Sequence, residues 1–116
     1  ENSARMGIVM REHLERMKAK HPSVGDVRSV GLFGVIECVK DKDTREPLAP
    51  WNAKAHQLGV MKDVAKKIRD LGMHTFVKWN WIFTIPPLCI TEEQLQEGFD
   101  IIDQALDIAD TGYEGS

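Results

Sequence analysis

Val24-Gly25-Asp26-Val27-Arg28-Ser29-Val30-Gly31-Leu32-Phe33-Gly34-Val35-Ile36-Glu37-Cys38-Val39 is rich in β-branched and aromatic residues and punctuated by glycine. That composition belongs to strands that meet at a bend. The spacing predicts a short strand over Val27 to Val30 and a longer one over Leu32 to Val39. Gly31 and Gly34 mark a bulge, a bend or a close backbone approach.

Helical periodicity flanks this stretch. Upstream, Met6, Val9, Met10, His13, Leu14 and Met17 fall near one face of a segment running from about Ser3 to Lys20. Asn2 or Ser3 is placed to cap its start, and Pro22 ends it, because proline disfavours α geometry at His21. Downstream, Asp41 to Asn52 reads as a loop containing Pro47 and Pro50, pinned by Trp51. A second helix is expected from about Ala53 to Leu71. Its apolar stripe runs through Leu58, Met61, Ala65 and Ile68, and Gly72 stands just past its end.

Two more strands follow, His74 to Trp79 and Trp81 to Ile85, joined at Asn80 and closed by Pro86-Pro87. The last helix carries the clearest signal. Thr91-Glu92-Glu93-Gln94 is a capping box, and Ile90 and Leu95 are spaced as a hydrophobic staple. Leu95, Phe99, Ile102, Leu106 and Ala109 continue the stripe. The fold class that results is α+β: a three- to four-stranded antiparallel or mixed sheet with helices packed on one face. Residues 1–110 form the domain, and 111–116 are expected to be a loose tail.

At 116 residues the chain fits one domain. Its net charge of −3 is not that of a nucleic-acid binder. No apolar run reaches the ~20 residues of a membrane helix, and the first residues have no signal-peptide core. A cytoplasmic location is expected. The chain starts without Met, close to the onset of a helix, which a piece of a longer protein explains most simply. Cys38 and Cys89 have no CxxC spacing and read as free thiols. His13, His21, His56 and His74 show no metal-ligand spacing. Lys62, Lys66 and Lys67 read as a solvated helix face, as does the acidic series Glu92, Glu93, Glu97, Asp100, Asp103, Asp107 and Asp110. Phosphate-loop, dinucleotide and nucleophile-elbow motifs are absent from the sequence.

Lys78-Trp79-Asn80-Trp81 is the stretch that points to chemistry. Strand alternation sets Lys78 and Asn80 on one face, with Trp79 and Trp81 on the other. At a cleft, Lys78 would hold a substrate anion as a point charge. The same residues also fit an exposed hairpin whose tryptophans pack on the core.

Three stretches carry a family likeness: Glu1-Asn2-Ser3 opening a helix with Met6-Gly7; Val24 to Phe33, followed by Ile36-Glu37 and Lys40-Asp41-Lys42; and Ile85-Pro86-Pro87-Leu88-Cys89-Ile90-Thr91-Glu92-Glu93-Gln94-Leu95. In this order the sequence resembles the C-terminal small domain of class III aminotransferases, in the fold-type-I group of pyridoxal-phosphate enzymes. Phe76 to Pro87 is most similar to members that move an amino group from an ω-amino compound to pyruvate, the taurine–pyruvate type included. Ser29 stands where a glycine is usual.

The resemblance implies a homodimeric parent enzyme with pyridoxal 5'-phosphate in its large domain, acting on a small amino donor and a keto acid. No lysine here stands in the Schiff-base motif, so this chain is expected to bind no cofactor and to be inactive alone. Relatives often place a carboxylate-gripping arginine shortly before the Pro-Pro pair. This chain has Phe76, Val77 and Lys78 there, so Lys78 is the substrate-binding candidate. Arg28 and Glu37 match the pattern as structural residues. A free-standing small-molecule-binding or dimerisation module is the alternative from a different class.

Overall fold

The computed structural model describes residues 2–50, 53–72, 76–86 and 90–115. Expectations about Trp51, His74, Cys89 and the Asn2 or Ser3 cap fall outside what is described. The elements run α1 (Asn2–Lys20), β1 (Val24–Val30), β2 (Phe33–Asp41), β3 (Glu46–Pro47), α2 (Val60–Asp70), β4 (Phe76–Lys78), β5 (Trp81–Thr84) and α3 (Glu92–Asp110). Among the described residues every strand pairing is antiparallel. The sheet has five strands in the order β1-β2-β5-β4, with β3 also pairing with β2. The extra strand beyond the expected four is this two-residue β3, whose proline and short length leave little signal in sequence.

Alternation along β2 divides the sheet into two faces. Gly34, Ile36 and Cys38 are buried, together with Ile82 and Thr84 of β5. Gly34 is required here: a Cβ would stand 2.5 Å from Thr84 Oγ1 and 3.1 Å from Leu14 Cδ1. It is therefore the close approach anticipated from sequence. The bulge falls elsewhere, between Val24 and Asp26, and Gly31 sits in the β1–β2 turn.

Helix α1 crosses β1 and β2, and α3 packs against both α1 and α2. Met6, Met10, Leu14 and Met17 of α1 meet Leu95, Phe99, Ile102 and Leu106 of α3 in one continuous core. Burying such a side chain is worth about 1.5–3 kcal/mol. The capping box of α3 is complete: the Gln94 N–H donates to Thr91 Oγ1 at 3.1 Å, and the Thr91 N–H donates to Gln94 Oε1 at 3.0 Å.

Two expectations change. The helix anticipated from Ala53 is interrupted: a 3-10 turn covers Ala55–Gln57, and α2 begins only at Val60. Between them Gly59 has φ 57, a left-handed conformation open to glycine, which breaks the helical path. The end of the chain, anticipated as loose, lies along β2. The N–H groups of Glu114 and Gly115 donate to the Lys40 carbonyl at 2.7 and 3.0 Å. The turn at Thr111-Gly112 precedes this contact.

Candidate functional site

The β4–β5 hairpin holds the residue singled out from sequence. Lys78 and Trp81 are direct cross-strand partners, so they share a face. Simple alternation had separated them. A two-residue turn, Trp79-Asn80, intervenes and resets the parity. Asn80 turns inward and is buried. Its Nδ2 donates to the Cys38 carbonyl at 2.9 Å, and its own carbonyl accepts from the Cys38 N–H at 2.8 Å. Burial pushes the Cys38 thiol up to about 12, which removes it as a nucleophile.

Lys78 is exposed, and its Nζ lies 4.7 Å from the Trp79 ring centroid. The tryptophans are not core residues. Trp79 and Trp81 meet edge to face at 5.6 Å, Trp81 meets Phe83 at 6.0 Å, and Phe83 reaches Phe33 at 6.1 Å. Phe33, Trp81 and Phe83 lie on the face of the sheet opposite buried Gly34, Ile36, Ile82 and Thr84. Val30, Phe33 and Ile85 are exposed there, Val30 at 79% and Ile85 at 65%. Trp81, Phe83, Phe33, Arg28 and Glu37 line a shallow hollow of about 190 Å³. Its charged side is internally paired. Arg45 donates to Glu37 at 3.3 Å, and Arg28 donates to Asp26 at 3.2 Å. Burial raises the Asp26 carboxyl, but hydrogen bonds from Arg28 and the Val27 N–H outweigh it and hold the group below its ordinary value. Arg28 and Glu37 thus have the structural roles read from sequence.

A second polar cluster was not legible. His21 is buried where α1 ends. Its Nε2 lies 2.6 Å from Asp103 and its Nδ1 2.6 Å from Asp110. Both carboxylates accept, so the ring satisfies them when both nitrogens carry hydrogen. Lys20 Nζ reaches the second Asp103 oxygen at 2.8 Å, and Ser23 Oγ donates to Asp110 at 2.6 Å. Burial raises Asp103, yet the bonds from Lys20 and His21 leave it below its ordinary value. Asp103 and Asp110 are seven apart, about two turns along α3, and so share a face. They had been read as part of a solvated face.

A second hollow lies between α1 and the start of α3, lined by Val9, Glu12, His13, Arg16 and Gln96. His13 stacks on Phe99 at 4.9 Å. Burial, then the adjacent Arg16 charge, lowers its pKa.

Pyridoxal phosphate requires a lysine nitrogen inside a cavity and donors gathered around a phosphate. Every lysine of the chain is exposed or half-exposed, and none lines the hollows described above. The described residues therefore do not fit the cofactor. No helix of the described residues is long and apolar enough to cross a membrane.

Comparison with known proteins identifies the lineage of this arrangement. The aminotransferase class-III family model matches residues 1–106. A taurine–pyruvate aminotransferase of Bilophila wadsworthia is 40% identical over 107 residues, which is 91% of this chain and 23% of that protein. An ethanolamine-phosphate phospho-lyase homologue of Caenorhabditis elegans is 37% identical over 106 residues, 91% of this chain and 22% of the relative. A taurine:2-oxoglutarate aminotransferase of Bifidobacterium kashiwanohense, solved with pyridoxal phosphate and glutamate, superposes with a TM-score of 0.85 at 37% identity. That match covers 95% of this chain and 24% of the other. The chain thus spans about a quarter of the length of the relatives it matches. With its family model matched nearly end to end and its fold reproduced in a solved relative, the chain belongs to the class III aminotransferases.

Proposed function

We propose that residues 1–110 are the C-terminal small domain of a pyridoxal-phosphate-dependent aminotransferase, a cytoplasmic homodimer. The enzyme transfers an amino group from an ω-amino donor to a keto acid such as pyruvate. The likeness to the Bilophila taurine–pyruvate enzyme supports the donor class. The cofactor belongs to a large domain of the same protein, and this chain alone is inactive.

The observation that carries the domain assignment is the uncovered face of the sheet. Val30, Phe33 and Ile85 are exposed beside half-buried Trp81 and Phe83, on a sheet whose other face is buried at Gly34, Ile36, Cys38, Ile82 and Thr84. A continuous apolar face of this kind belongs against another surface. The large domain is the occupant this reading assigns, with Lys78 at the rim of the contact. There its ammonium receives the carboxylate or sulfonate at the far end of the donor.

The test is expression of this chain alone and of the same chain extended upstream to the length of its relatives. Transamination of taurine with pyruvate should appear only in the longer protein. Turnover by the 116-residue chain, or none by the extended one, would contradict the reading.

A further inference from the structure

Trp79 has φ 53, a backbone conformation that glycine adopts freely and a bulky aromatic residue rarely. The adjoining position explains why the strain persists. Asn80 is tied to Cys38 through both its backbone carbonyl and its side-chain amide. It is therefore held to β2 while it completes the two-residue turn, and the positive φ of that turn falls on Trp79. A glycine at 79 would close this hairpin with less strain. Strain of this sort is kept where the side chain has a task.

The indole has one. Its face carries the Lys78 ammonium at 4.7 Å from the ring centroid, and its edge contact with Trp81 orients it. Trp81 is also the cross-strand partner of Lys78 and part of the wall of the outer hollow. An exposed lysine ordinarily samples many rotamers, and immobilising it costs side-chain freedom. Attraction to an indole face offsets part of that loss before any ligand arrives.

We infer that Trp79 is a positioning residue: it holds the Lys78 ammonium at the rim of the aromatic hollow, so that the enzyme selects amino donors ending in a sulfonate or carboxylate. The inference rests on the substrate-anion role proposed for Lys78. It adds the cause of the selectivity, a charge set in place by a strained tryptophan.

The experiment uses the full-length enzyme at saturating pyruvate with three donors: taurine, β-alanine and propylamine, which has no terminal anion. Trp79→Gly should keep or raise Tm, since it relieves the positive φ. It should raise KM for taurine and β-alanine about tenfold, in line with losing a cation–π contact, and leave KM for propylamine and kcat within about twofold. Trp79→Phe should recover most of the lost affinity, because it retains a ring face. Lys78→Met should raise KM for both anionic donors at least as far. If Lys78→Met raises those KM values and Trp79→Gly does not, the positioning role is overturned while the Lys78 assignment stands. If Lys78→Met changes nothing, both are overturned. Equal losses for all three donors in Trp79→Gly would show that the ring serves only the fold.

Discussion

Replacing His21 by alanine should detach the end of α1 from α3. The imidazole is 1% exposed and makes two 2.6 Å contacts with carboxylates of α3. Removing a buried hydrogen-bonding partner of a charged group costs about 1.5–3 kcal/mol per contact. Here the loss is moderated. Asp103 keeps Lys20, and Asp110 keeps the Ser23 hydroxyl and N–H. Both carboxylates also reach water, at 18% and 23% exposure. A net loss of about 2–3 kcal/mol is therefore expected. For a domain of this length each kcal/mol moves Tm by roughly 4 °C, giving a fall of about 10 °C. Thermal unfolding of the chain followed by circular dichroism, with His21→Ala against the parent sequence, measures it. A fall under about 2 °C, which corresponds to roughly 0.5 kcal/mol, would refute the view that this ring fastens the two helices.

Other outcomes follow from the same geometry. Asp103 and Asp26 are held below their ordinary value of 3.8 in the folded chain. A carboxyl with a depressed folded pKa contributes stability that is complete above its unfolded pKa and is lost as pH falls through the folded one. Unfolding midpoints should therefore fall below pH 3.8, and Asp103→Asn should make that acid limb shallower. Gly34→Ala should destabilise by about 1–3 kcal/mol in urea melts, since its Cβ would press on Thr84 and Leu14. Phe99→Ala should cost about 3–5 kcal/mol, because the ring is buried and carries the stacked His13. Thr91→Ala should cost about 1 kcal/mol through the lost cap.

Local physics was readable where one short stretch sufficed. The capping box at Thr91 to Gln94, the apolar stripes of α1 and α3 and the glycine-divided strands each declare themselves through spacing. Gly59 escaped because its neighbours keep helical periodicity, and only its φ shows that the path breaks there. The facing of Lys78 was misread because a two-residue turn changes strand parity, and nothing in Lys78-Trp79-Asn80-Trp81 fixes the turn length. His21 was missed for a different reason. Its partners lie 82 and 89 residues away, and two carboxylates among many on an acidic helix give no sign of which are turned inward. The outer aromatic face was equally hidden: Phe33 comes from β2 and Trp81 and Phe83 from β5, and their shared face is a property of the assembled sheet.

The assignment of the cofactor to another part of the enzyme is tested most directly by titrating the purified 116-residue chain with pyridoxal phosphate, followed by borohydride reduction and mass spectrometry. Because every lysine lies on the surface, the account predicts slow, scattered, substoichiometric labelling and no saturable absorbance band. A stoichiometric adduct on a single lysine would contradict it.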